Sequence, residues 1–282
     1  MTCGQLLKFS LSKLVVEMFG TFMLTLFFYG NKQAEILTGL WILIVFAWKI
    51  SGGHFNPAIT FAFMFRRDAK KLPISLGVAY MGAQVLGAFL AALLLVFFTN
   101  NQVAALNTIR HCFFIDAAGT KTNIPWTCNV GTYGVNYYDH TYYIRAMTQE
   151  GLGTFIYVLF FMMQTDEKMF FSREKAINCF IIASSYVAAR AMFYGESGVI
   201  NQISSFGAVL NPAISLGIML GALMNGVSSG TSVLMLWLIY PLMPIAGSLL
   251  SLIFFEFVYK KTQEVLEHDG DDKADTDGIL DN

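Results

Sequence analysis

The sequence predicts an all-α membrane protein with six transmembrane helices and two half-helices in an inverted repeat. Three observations carry this reading. The 282 residues are 55% hydrophobic and only 13% charged, with a mean hydropathy of +0.55, whereas soluble domains carry about a quarter charged residues. The length accommodates six apolar crossings of roughly 20 residues plus loops. The tripeptide Asn-Pro-Ala occurs twice, at Asn56-Pro57-Ala58 and Asn211-Pro212-Ala213, in two halves that otherwise echo each other.

In chain order, residues 11–30 form the first span, which holds Glu17. The second, 36–50, runs without a polar break into Ser51-Gly52-Gly53-His54-Phe55-Asn56-Pro57-Ala58. Asparagine is a good N-cap and proline suits the first helical position, so a helix starts there. It ends after about nine residues, too few to cross a bilayer at 1.5 Å each, at the basic loop Arg66-Arg67-Asp68-Ala69-Lys70-Lys71. A third span covers 74–98. The long connection to about residue 145 carries Pro125 and a tyrosine-rich patch without strong periodicity. The fourth and fifth spans, 147–163 and 176–193, flank a short charged loop. A Gly/Ser-rich stretch then leads to the second Asn-Pro-Ala and a second short helix, 212 to about 220, followed by a sixth span at 231–259. The membrane domain is thus 1–260, with repeats at about 11–98 and 146–259. The strongly acidic segment 261–282 is expected to be a disordered, solvated tail.

Charge sorts the loops by side. Lys8, Lys13, the Arg66–Lys71 cluster, Lys168, Arg173, Lys175, Lys260 and Lys261 fall on one side of a six-span arrangement. By the positive-inside rule both termini face the cytoplasm or its topological equivalent. The first apolar run is itself a span, so no separate signal peptide is expected. The four cysteines follow no metal spacing. Cys112 and Cys128 share one loop and either pair, if it faces an oxidising compartment, or remain thiols. His54, His111, His140 and His268 are scattered. No catalytic cluster, metal site or cofactor is expected, nor nucleic acid as a partner, and an enzyme is disfavoured.

The halves superpose residue by residue. Glu17-Met18-Phe19-Gly20-Thr21-Phe22 matches Glu150-Gly151-Leu152-Gly153-Thr154-Phe155, and Tyr80 and Gly87 match Tyr240 and Gly247. Three spans per unit is an odd number, so the second copy enters upside down and the two short helices meet near the midplane. Each presents the positive end of its dipole there. Asn56 and Asn211 add amide donors, a combination that repels cations and hydrogen-bonds a neutral solute. Glu17 and Glu150, ionisable within spans, are expected to face the interior and bind backbone or loop donors in a structural role.

With Ile50-Ser51-Gly52-Gly53-His54-Phe55-Asn56-Pro57-Ala58, Ala83-Gln84-Val85-Leu86-Gly87-Ala88, Asn211-Pro212-Ala213 and Pro241, residues 11–260 resemble the aquaporin (major intrinsic protein) family. The resemblance implies a homotetramer in membrane lipid with one narrow pore per subunit. It places pore residues at Asn56, Pro57, Ala58, Asn211, Pro212 and Ala213, with His54 beside them. It places Ile36 at the filter position of the second span and Ile214 where the family usually has an arginine. Arg190 either restores that charge from the fifth span or faces solvent at the span's outer end. Lys49 stands where the family commonly has histidine, and either enters the lumen or snorkels to the surface. Ser215 is similar to the water channels, while Ile36 is less bulky than their usual aromatic. The expected function is a passive channel for water and small uncharged solutes such as glycerol. The alternative is a non-conducting structural subunit of a larger membrane assembly, motivated by Ile214, Lys49, the long loop and the acidic tail. The expected location is multi-pass, in the plasma membrane or an organelle, including the mitochondrial inner membrane.

Overall fold

The computed structural model describes residues 3–30, 33–98, 112–115, 121–124, 140–166, 170–192, 208–224 and 231–266. The helices are α1 (Cys3–Gly30), α2 (Gln33–Ala47), α3 (Pro57–Phe65), α4 (Ile74–Phe98), α5 (His140–Thr165), α6 (Lys175–Ala191), α7 (Pro212–Met224) and α8 (Thr231–Phe254). Between α4 and α5 lies a small antiparallel hairpin, β1 (Cys112–Ile115) with β2 (Lys121–Ile124), in which Cys112 pairs with Ile124. The all-α bundle is as expected; the hairpin is an addition within the long connection, where no periodicity announced it. Cys128, Pro125 and most of that connection lie outside the described residues.

Among the described residues four helices, α1, α4, α5 and α8, are long and apolar enough to cross a membrane, and α2 is a shorter apolar helix. Their outward faces are apolar too: Ile42, Val45 and Phe46 of α2 are exposed while Ile36, Leu40, Leu43, Ile44 and Ala47 are buried. The buried set follows the three-and-four spacing of one helical face. The exposed set suits lipid.

The repeat is visible in the packing. The most extensive contacts join α1 to α4 and α5 to α8, corresponding pairs in the two halves. Each pair meets at a glycine: a Cβ on Gly87 would collide with the Met18 carbonyl, and one on Gly247 with the Gly151 carbonyl. Met18 and Gly151 are themselves equivalent in the repeat, so one close crossing has been built twice.

Several boundaries differ from expectation: α1 begins at Cys3 rather than 11, and α7 runs to Met224 rather than about 220. α5 begins at His140 rather than 147. α8 passes through a π-helical turn (Phe255–Tyr259) and stays helical to residue 266, so residues 261–266, expected in the acidic tail, extend the last helix. Exposed Val265 and Leu266 continue its apolar side. Residues 267–282 lie outside the described residues.

Candidate functional site

α3 and α7 begin at the two Asn-Pro-Ala sequences. Asn56 is the N-cap of α3, extended in backbone, with Oδ1 accepting from Ala58 N at 2.8 Å. Asn211 Oδ1 accepts from Ala213 N at 3.0 Å. The amide nitrogens reach across to the other half: Asn56 Nδ2 donates to the Leu210 carbonyl at 2.8 Å, and Asn211 Nδ2 to the Phe55 carbonyl at 2.9 Å. The exchange is reciprocal. It brings two helix N-termini face to face, and Pro57, Ala58, Pro212 and Ala213 are buried behind them.

The residues preceding each asparagine occupy an uncommon backbone region. Phe55 has φ 48° and Leu210 has φ 57°, left-handed values that cost a non-glycine residue roughly 1–2 kcal/mol. Two buried carboxylates hold them there. Glu17 accepts from His54 N at 3.0 Å and Phe55 N at 2.7 Å; Glu150 accepts from Val209 N at 2.7 Å and Leu210 N at 2.8 Å. Both N–H groups thereby point inward and the following carbonyl is presented to the opposite asparagine. Glu17 also receives Ser51 Oγ at 2.6 Å and Gln84 Nε2 at 2.8 Å. In the repeat Pro244 stands where Gln84 would be, so Glu150 has no counterpart of that donor.

In the half opposite the basic loops lie Ile36, Ile214 and Arg190, each fully buried. Ile36 opens α2, Ile214 is in the first turn of α7, and Arg190 is in the last turn of α6. The Arg190 guanidinium is 4.1 Å from the Phe28 ring centroid and 5.7 Å from that of Tyr186. The main-chain carbonyl of Arg190 accepts from Ala208 N at 3.3 Å, tying the end of α6 to the segment that enters α7. Tyr186 Oη donates to the Val209 carbonyl at 2.7 Å. Arg190 therefore turns inward rather than to solvent, with its guanidinium over the aromatic faces of Phe28 and Tyr186, an arrangement that attracts a cation.

On the basic side a cavity of about 210 Å³ is lined by Trp48, Ser51, Gly52, His54, Phe63, Lys70, Leu72, Phe161 and Thr165. His54 Nδ1 lies 3.2 Å from Thr60 Oγ1, which accepts from Gln84 Nε2 at 2.9 Å. Its ring packs 4.6 Å from Phe63 and 6.0 Å from Phe161. The lining is thus mixed, aromatic at Trp48, Phe63 and Phe161 and polar at Ser51, His54, Lys70 and Thr165. Of the two placements open to Lys49, the structure has the outward one: it is exposed and does not line this cavity, whereas its neighbour Trp48 does. α2 ends at Ala47, whose carbonyl accepts from Ile50, Ser51 and Gly52, and this tightened turn swings Lys49 outward.

Below the cavity lies a charge cluster that sequence reasoning missed. Arg66, closing α3, is fully buried. It donates through Nε and Nη2 to Asp68 at 2.7–3.2 Å and through Nη1 to Thr165 Oγ1 at 2.8 Å, with Asp166 at 3.6 Å. Lys260 adds bonds to Asp68 at 2.8 Å and Glu256 at 3.2 Å. Partial burial raises the Asp68 carboxyl, but the bonds from Arg66 and Lys260 and the Arg66 charge outweigh it, bringing it down to about 2. The cluster ties α3, α5 and α8 together at the mouth through Thr165. Only the adjacency of Arg66 and Asp68 was legible beforehand; Lys260 is 192 residues away from Asp68.

Residues 34–125 match the family described as Major intrinsic protein. Aquaglyceroporin-2 of Rhizophagus irregularis is 30% identical over 179 residues, 57% of this chain and 52% of that protein. Aquaporin-B of Dictyostelium discoideum is 49% identical over 47 residues, 17% of this chain and 15% of that protein. The chain thus spans about half the length of the first relative and less of the second. The X-ray structure of the aquaglyceroporin from Plasmodium falciparum superposes with a TM-score of 0.62, covering 91% of this chain and 99% of that one at 17% identity, a likeness of fold. The chain is a multi-pass integral membrane protein.

Proposed function

We propose that this chain is a major intrinsic protein and forms a passive transmembrane channel for water and small uncharged solutes such as glycerol. The reading rests on one observation, the reciprocal pair Asn56–Leu210 and Asn211–Phe55 between facing half-helix ends. An amide nitrogen carries two protons. The bond to the opposite carbonyl uses one, and the other is available to a passing oxygen. Both helix ends carry partial positive charge there, so a neutral solute that accepts hydrogen bonds is favoured over a cation or a hydronium ion.

The two halves of the path contribute differently. Arg190 adds a fixed positive charge in the outer half, beside Ile36 and Ile214, whose aliphatic side chains leave that stretch apolar. His54 and the cavity on the basic side supply polar groups beside Phe63 and Phe161, a lining suited to a solute with a hydroxylated edge and a carbon backbone. The similarity of the chain to proteins named as aquaporins and aquaglyceroporins supports the same solute class. Four such subunits in a homotetramer, each with its own path, complete the proposal.

Stopped-flow swelling and shrinking of proteoliposomes under water and glycerol gradients tests it. Permeability well above that of empty liposomes is expected. Permeability equal to theirs overturns the proposal and favours the structural-subunit reading.

A further inference from the structure

Two basic dipeptides, Arg66-Arg67 and Lys260-Lys261, meet at the same end of the bundle, and each is divided in function. Their first members, Arg66 and Lys260, are spent inside the Asp68 cluster. Their second members point the other way and converge on one ring. The Arg67 guanidinium is 4.8 Å from the Phe257 centroid and the Lys261 ammonium is 5.9 Å from it. Both cations are exposed, and among the described residues neither forms an ion pair with a carboxylate. Glu256, next to Phe257, is already held by Lys260 and by the backbone N of Arg67.

The surface around them is apolar. Phe257 is 47% exposed, and Val258 and Phe65 are each 46% exposed. We infer that Arg67, Lys261 and Phe257 form a site for the headgroup of an anionic phospholipid. A water-borne acidic segment would satisfy the two cations but leave this apolar base uncovered. A phospholipid satisfies both at once, its phosphate reaching the cations and its acyl chains lying along Phe257, Val258 and Phe65. The level fits as well, since the site sits where a membrane-crossing helix leaves the hydrocarbon on the side with the excess of basic residues. This surface is separate from the proposed path, so it stands whether or not the chain conducts.

Native mass spectrometry of the purified full-length protein, with phosphatidylglycerol or phosphatidylcholine added at equal concentration, tests the assignment. The wild type should retain phosphatidylglycerol preferentially. Arg67→Gln with Lys261→Gln should weaken that retention by roughly fivefold per cation at low salt, whereas Lys71→Gln, an exposed cation of the same loop, should leave it unchanged. Equal retention of the two lipids by the wild type, or undiminished retention by the double variant, overturns the inference. A full-length variant with the aspartates from Asp269 to Asp281 changed to asparagine tests the acidic tail as occupant. A large gain in phosphatidylglycerol retention would give the cations to the tail and refute the lipid site; unchanged retention agrees with it.

Discussion

Glu150→Gln probes how the midplane is held. The carboxylate accepts two backbone bonds, from Val209 N and Leu210 N, at 2.7 and 2.8 Å. Charge-assisted bonds are worth about 1.5–3 kcal/mol each and a neutral one about 1. Glutamine offers a single acceptor oxygen, so one backbone N–H is left facing an amide NH₂. Two strong bonds give way to one ordinary bond, a deficit of about 2–5 kcal/mol. Burying a neutral amide costs less than burying a carboxylate, which places the net loss at about 2–3 kcal/mol. Leu210, at φ 57°, then loses part of what holds it in a conformation costing roughly 1–2 kcal/mol. As it relaxes, its carbonyl moves away from Asn56 Nδ2, so damage in the second half reaches the first. Thermal unfolding of the detergent-purified variant should fall by about 4–12 °C at 2–4 °C per kcal/mol. Water permeability per folded protein should fall with it. An unfolding temperature within about 1 °C of the wild type, with unaltered permeability, would refute this account of the glutamate.

Arg190→Leu should admit protons and potassium into proteoliposomes while leaving water flux largely intact. Removing the charge lowers the electrostatic barrier to a cation, and every 1.36 kcal/mol so lost is about a tenfold rise in leak. Dye-monitored proton leak at the wild-type level would contradict a filter role. Ile214→Arg should narrow the outer half and lower glycerol flux more than water flux; equal loss of both would mean that Arg190 already fills that space. The Asp68 carboxyl is held at about 2, below its ordinary range, so its contribution to stability is present above about pH 4 and is lost as pH falls toward 2. Asp68→Asn should therefore be less stable than the wild type near neutrality, and the gap should close on acidification. A gap constant from pH 7 to pH 2 in thermal unfolding would contradict this.

Duplication made the fold legible. A single Asn-Pro-Ala is a capped helix start, but two of them with Glu17 matched to Glu150 and Gly87 to Gly247 required an inverted pair. The glutamates could be recognised from chemistry alone, since a carboxylate within a span must find interior donors. What escaped was set by turns and by distance. The direction of Lys49 stayed open between lumen and surface because the helical period stops at Ala47 and cannot be extrapolated through the turn after it. The inward direction of Arg190 depends on Phe28 and Tyr186 being there to receive it, and two alternatives were open until their positions were known. The Arg66 cluster joins three elements through Asp68, Thr165 and Lys260, with no local pattern to announce it. The helical extension to residue 266 was hidden by the acidic composition of the chain beyond it.

The exchange of amides between Asn56 and Asn211 bears on how the molecule is assembled. Its two bonds join residues 154 and 156 positions apart, so neither half carries the acceptor for its own asparagine. While the ribosome has delivered only the first half, Glu17 and Gln84 can already hold the start of α3, but the Asn56 amide nitrogen must be satisfied by water or lipid headgroups. That last donor is met only when Leu210 arrives, making the centre of the bundle a late checkpoint at which each half completes the other.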